Sequence, residues 1–355
     1  MRVLNVCETA KGGVGTYQAA LAAMSGMGVE MHYLVPEQDA DFLGGEAKTY
    51  TFDRRKRGVF SLLAMLYETR RLIKELQPDL CFFHSSFALA GLAMLRGPGA
   101  RRPALYCPHG WAIASHSSGG LKSRIIRAVE GRLAGLADTT VCVSQHEKDL
   151  ADTLGYHGRR VVIENAVPPP RPDARDDLFH DEPDALHLLF VGRLDRQKGF
   201  DILAQAMRLA NRPDVRLSVV GGAVRGDGAS GDIPQGTTLV GWVDPSEIDH
   251  WHRSADALIV PSRWEGLPLV ILEAFRNGTP VICSERSGME ALVTRGVTGD
   301  HFDLTPEALA KVLRGLDKSA LRAMRPACRD VFETRFSIAR LHRELFAVMQ
   351  EAVAK

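Results

Sequence analysis

Pro261-Ser262-Arg263-Trp264-Glu265-Gly266-Leu267-Pro268-Leu269-Val270-Ile271-Leu272-Glu273-Ala274-Phe275-Arg276-Asn277-Gly278-Thr279-Pro280 decides the reading of this chain. The apolar run 257–260 before it reads as a buried strand. Gly266 permits a sharp turn. Pro268 suits a helix start, where its missing N–H costs nothing. Leu269 to Arg276 reads as helix, stopped by Asn277-Gly278 and Pro280. The unit is therefore strand, turn, helix, strand, with Glu265 before the helix and Glu273 inside it. The amides near Leu267, Leu269 and Val270 form an anion site, because first-turn N–H groups lack helical partners and the dipole adds positive potential. Two carboxylates flanking an anion site suit a nucleotide sugar: the amides hold the diphosphate and the carboxylates accept from ribose and hexose hydroxyls. The plainer alternative is an ordinary α/β unit with two surface glutamates.

The Glu265-x7-Glu273 spacing resembles the motif of retaining glycosyltransferases of the GT-B fold, family 4, also called glycosyl transferases group 1. Asn277-Gly278-Thr279-Pro280-Val281-Ile282 extends the likeness. So does Gly192-Arg193-Leu194-Asp195-Arg196-Gln197-Lys198-Gly199, which follows the strand 186–191 and is similar to the family's Gly-Arg-Leu-x3-Lys-Gly. From that turn Arg193, a planar fork, and Lys198, a mobile point charge, can reach one diphosphate.

Near the N-terminus, the strand 3–7 leads into Lys11-Gly12-Gly13-Val14-Gly15-Thr16-Tyr17. The spacing is wrong for a dinucleotide fingerprint. Thr16 stands where a P-loop needs its lysine. The family's glycine loop, Gly-Gly-x-Gly-x-Tyr, is the remaining resemblance, beside a plain tight turn. It implies that Gly12, Gly13 and Gly15 lie near the donor. The strand 104–107 ends in Pro108-His109-Gly110, and strand ends of parallel α/β sheets face ligands. Family members often carry a histidine there, which makes His109 a candidate toward the donor sugar. His84, also at a strand end, is a weaker one.

The chain has 355 residues, enough for two domains. A formal net charge of +1 gives no nucleic-acid signature. Residues 1–170 carry 20 Lys and Arg against 16 Asp and Glu, so this half is mildly basic and tolerates an acidic surface or acceptor. Six scattered cysteines without a Cys-x-x-Cys pair suggest buried free thiols in a reducing compartment. The first residues run straight into a strand and no apolar run reaches membrane-spanning length, so a cytoplasmic protein is expected, at most on a membrane face. Arg54-Arg55-Lys56-Arg57 precedes an amphipathic helix from Val59 to about Leu76. Beside an exposed Phe60, these cations could dock on anionic lipid or simply be solvated.

The resemblance implies two Rossmann-like domains facing across a cleft: an acceptor domain over 1–168, a linker over 169–185, and a donor domain over 186–336. A C-terminal helix over 337–355 would cross back to the first domain. It implies transfer of a hexose, with retention, from a nucleotide-diphosphate sugar, UDP expected, to a glycan or lipid-linked glycan in polysaccharide synthesis. No cofactor and no metal are expected, because Arg193 and Lys198 supply fixed charge. His109, Glu265, Arg193 and Lys198 are the catalytic candidates, and Glu273 takes the ribose. A nucleotide-sugar 2-epimerase and an inactive carbohydrate-binding relative are the alternatives. The stretch 37–76 resembles the family least and leaves the acceptor open.

Overall fold

The computed structural model describes residues 1–10, 12–43, 47–54, 58–95, 101–116, 120–223 and 233–354. The chain divides into two compact units, Met1–Val167 with Ile338–Lys355, and Pro168–Ser337.

The first unit holds seven strands: β1 (Arg2–Cys7), β2 (Glu30–Pro36), β3 (Lys48–Phe52), β4 (Leu80–His84), β5 (Ala104–Cys107), β6 (Thr139–Cys142) and β7 (Arg160–Val162). All pair in parallel in the order β3-β2-β1-β4-β5-β6-β7. Parallel strands are covered on both faces, so β1 and β4 are apolar almost throughout and buried along nearly their whole length. The edge strands are the exceptions: β7 has no buried residue, and β3 only Phe52. The weak apolar signal of β3 explains why the sequence does not announce it. The strand order reverses between β1 and β4, the kind of switch point at which open parallel sheets bind ligands beyond the carboxyl ends of their strands. The helix Ile338–Val353 belongs to this unit. Leu341, Leu345 and Met349 recur on one face and are fully buried, while Arg340 Nη2 donates to Glu164 O at 2.7 Å.

The second unit holds β8 (Leu186–Val191), β9 (Val215–Val220), β10 (Thr237–Gly241), β11 (Ala257–Val260), β12 (Val281–Ser284) and β13 (Gly299–Phe302). They are again all parallel, in the order β10-β9-β8-β11-β12-β13. The switch point lies between β8 and β11. The proline-rich stretch 168–185 has no helix or strand, but it is packed on this unit rather than loose. Arg171 N donates to Asp249 Oδ2 at 3.0 Å, and the Phe179 ring stacks on His187 at 4.3 Å.

Candidate functional site

In the second unit the two motif loops leave neighbouring strands at the switch point. The loop after β8 carries Arg193 and Lys198, and the loop after β11 carries Glu265. They touch because Gly199 has φ +70° and no side chain: a Cβ there would sit 2.0 Å from Pro261 O. Arg263 N donates to Gln197 O at 2.7 Å, and Gln197 Nε2 donates to Trp264 O at 3.0 Å. This stitching brings Lys198 Nζ to 2.7 Å from Glu265 Oε1. Asp195 Oδ1 accepts from Lys198 N, and its other oxygen pairs with Arg193 Nη2 at 3.0 Å. Arg193 is also held by Gln197 Oε1 at 2.9 Å.

The helix Leu269–Arg276 begins directly after this cluster, with extended Pro268 as its cap. Its first turn, with Leu269 and Val270, follows Gly266 and Leu267 toward the same strand ends. Glu273 lies one turn on. Burial pushes its carboxyl up, and Arg276 and Lys198 partly offset that. Its Oε2 lies 4.0 Å from His252 Nε2. His252 is fully buried and held neutral, its pKa pushed down to about 3 by burial first and by Arg276 next. The far end of the helix is fixed by Asp249, whose Oδ1 accepts from Arg276 Nη2 at 2.6 Å and from Asn277 Nδ2 at 2.7 Å.

In the first unit, register gathers a second group. Asn5 on β1, His84 at the end of β4 and His109 after β5 all lie at the switch point, with Cys7 opposite His84 and His84 opposite Cys107. His84 Nδ1 lies 3.1 Å from His109 Nε2, and His84 Nε2 lies 3.3 Å from Asn5 Oδ1. The Tyr17 ring meets His109 edge-on at 4.8 Å. Gly12 stands with φ +61° at the start of the helix Gly13–Ala22, which contains Gly15 and Tyr17. Burial pushes the His109 pKa down to about 3 and that of His84 well down, so both rings are neutral.

His84, Cys107 and His109 are the one group among the described residues that could hold a metal, with donor atoms within 4.8 Å of one another. Nitrogen and sulfur donors suit a soft divalent ion. Here, however, both nitrogens of His84 are taken by hydrogen bonds, and burial pushes the Cys107 thiol well up. The group is a hydrogen-bonded chain.

Several supporting residues were not read from the sequence. Gln197 and Asp195 organise the cationic turn. Buried Glu147 accepts from Val143 N at 2.8 Å and from Gly110 N, next to His109. Buried Glu130 accepts from Ser86 Oγ at 2.7 Å and from Ala112 N at 2.9 Å. A signal for Glu147 exists: Ser144 caps the helix Gln145–Thr153 and accepts from Glu147 N, the Ser-x-x-Glu spacing of a capping box.

Of the basic tetrad, Arg54 alone lies among the described residues. Arg54 donates to Glu8 O at 2.7 Å and to Glu8 Oε1 at 2.8 Å, lies 3.5 Å from Asp39 Oδ2, and is only 16% exposed. It pairs with carboxylates of its own unit. Arg55, Lys56 and Arg57, like Lys11, lie outside the described residues.

Comparison with known proteins places this geometry. Residues 185–318 match the model for glycosyl transferases group 1, and residues 11–171 match that for glycosyltransferase family 4. A Klebsiella pneumoniae protein described as an uncharacterized 41.2 kDa protein in the cps region is 26% identical, over 95% of this chain and 96% of its own. A D-inositol 3-phosphate glycosyltransferase of Pseudarthrobacter chlorophenolicus is 32% identical over 49% of this chain and 44% of its own. Sucrose-phosphate synthase of Thermosynechococcus elongatus superposes with a TM-score of 0.83 at 20% identity, covering all of both chains. Anabaena Alr3699/HepE, solved in complex with UDP and glucose, gives 0.80 at 19% identity, over 99% of this chain and 100% of its own. With two parallel-sheet Rossmann-like units and a family match in each, the chain belongs to glycosyltransferase family 4, with the GT-B fold.

Proposed function

We propose that the protein moves a hexose, with retention, from a nucleotide-diphosphate sugar to a glycan or lipid-linked glycan acceptor in cell-surface polysaccharide synthesis. The observation that carries this is the cluster of Arg193, Lys198 and Glu265 beside the start of the helix Leu269–Arg276. As the glycosidic bond breaks, negative charge grows on the diphosphate. Two positioned cations and first-turn amides stabilise that charge with little reorganisation. Glu265 and His109 orient the sugar and Glu273 accepts from the ribose. UDP as the nucleotude carrier is favoured by the UDP-bound Anabaena structure, and polysaccharide synthesis by the cps region of the Klebsiella relative. Fixed cations make a divalent metal unnecessary for this step. Mass spectrometry of a nucleotide-sugar panel, with and without lipid-linked acceptors, tests the reading. A hexose added to an acceptor supports it, and a sugar isomerised without acceptor would indicate the 2-epimerase.

A lipid-linked acceptor is favoured by the surface of the first unit. On the helix Val59–Leu76, Phe60, Leu63 and Tyr67 are exposed, Phe60 by 90%. On the helix Leu121–Ala134, Leu121, Ile125 and Val129 form an exposed apolar row flanked by exposed Lys122, Arg124 and Arg132. Apolar rows beside cations suit the interface of an anionic bilayer. Among the described residues, no helix is long and apolar enough to cross one.

A further inference from the structure

The chain Asn5–His84–His109 has a direction, and the backbone sets it. Asn5 Nδ2 donates to His32 O at 3.3 Å and points to Met31 Sδ at 3.4 Å. Both are acceptors and would repel an amide oxygen. Asn5 Oδ1 is therefore the atom turned to His84 Nε2. An amide oxygen only accepts, so His84 carries its proton on Nε2. His84 Nδ1 is then a bare lone pair, and the proton in its 3.1 Å contact with His109 must sit on His109 Nε2. That leaves the other nitrogen of His109, Nδ1, without a proton.

We infer that Asn5 and His84 are positioning residues that lock His109 as the Nε2–H tautomer, so that the Nδ1 it presents accepts a hydrogen bond from a sugar hydroxyl. Asn5 and His84 are fully buried, while His109 is half-buried and is the member of the chain that reaches the surface. They act through His109 and do not touch substrate. The rest of the site holds the same pose. His109 has φ +51°, a left-handed conformation that costs energy for a residue with a side chain. It is fixed behind by its own N–H on Cys107 and ahead by Gly110 N and Trp111 Nε1, which donate to the Glu147 carboxylate and carbonyl. Tyr17 closes one flank. These contacts hold the strained residue and its ring in one pose. A neutral ring locked in one tautomer gives a fixed acceptor, whereas the other tautomer or the imidazolium would present a donor to the same hydroxyl.

The identity of the hydroxyl rests on the glycosyl transfer proposed above, but the tautomer does not, and the two are read separately. In the full-length protein labelled with 15N-histidine, long-range proton–nitrogen spectra report which ring nitrogen of His109 is protonated. The expected result is a protonated Nε2 and a bare Nδ1, and a proton on Nδ1 would overturn the inference whatever the enzyme's substrate. Two variants then test the coupling. His84→Leu removes the acceptor, so His109 should populate both tautomers and kcat should fall about five- to tenfold. KM for the nucleotide sugar should change less than kcat. His84→Gln keeps an oxygen that can accept from His109 Nε2–H and should restore both the single tautomer and most of kcat. If His84→Leu keeps the Nε2–H tautomer and the wild-type kcat, or if both variants lose kcat alike with the tautomer intact, the positioning role is wrong.

Discussion

Lys198 and Glu265, 67 residues apart in sequence, form an ion pair of 2.7 Å between loops that leave adjacent strands. In the proposed function Lys198 serves the diphosphate and Glu265 the sugar, so a bound diphosphate would compete with Glu265 for Lys198. Removing that charge in Glu265→Gln is expected to leave the affinity for free nucleoside diphosphate unchanged or several-fold tighter, and to lower turnover. Glu273→Ala should act the other way. It loses hydrogen bonds to the ribose and weakens nucleotide binding by about 1.5–3 kcal/mol, as for bonds involving a charged partner. Calorimetry with the free nucleotide separates the two, and equal losses of binding in both variants would contradict the division of labour.

Activity is expected to survive chelation. Arg193 and Lys198, with Asp195 and Gln197 holding Arg193 in place, supply positive charge from the chain itself. Turnover measured before and after EDTA should agree. Abolition by EDTA with rescue by magnesium or manganese would show that the fixed cations do not suffice.

Stability should carry the imprint of Glu147. Burial pushes its carboxyl from an ordinary value of 4.5 up to about 7, so the native state keeps a proton that the unfolded chain has lost. The contribution to stability is therefore full below about pH 4.5 and is lost as pH rises toward 7, by at most about 3 kcal/mol. Neutral His84 and His109 act oppositely, lowering stability as pH falls below the ordinary histidine value. The clean readout is the difference between wild type and Glu147→Gln in denaturant unfolding across pH 4.5–7.5. Wild type should lose stability relative to Glu147→Gln as pH rises through this window, and a pH-independent difference would mean that Glu147 is ionised throughout.

The apolar rows of the first unit should bind lipid weakly. Phe60→Ser combined with Ile125→Ser should reduce sedimentation with anionic vesicles at low salt, and the remaining binding should fall further at high salt as the flanking cations are screened. Unchanged sedimentation of the double variant would exclude these rows as the contact.

Much of this architecture is legible in the sequence because parallel strands and their helix starts are locally encoded. The apolar runs 80–84, 104–107 and 186–191 are strands with those bounds, and Leu269–Arg276 is the helix that its Pro and Asn-Gly flanks specify. What was hidden is long-range. Arg54 sits in a basic run, yet it pairs with Glu8 and Asp39, carboxylates 46 and 15 residues away. Asn5 looks like a polar residue interrupting a strand, and only the pairing of β1 with β4 puts it beside His84. Edge strand β3 lacks an apolar run because one of its sides has no neighbour.

The most direct measurement is acceptor-dependent release of nucleoside diphosphate from UDP-hexoses by the wild type, Arg193→Ala and Lys198→Ala. Release is expected to be coupled one-to-one to hexose on the acceptor. In either variant kcat should fall by about 10²–10³, as for loss of one electrostatic contact to developing charge. Release that is unchanged in both variants, or a sugar altered without any acceptor, would contradict hexosyl transfer driven by these two cations.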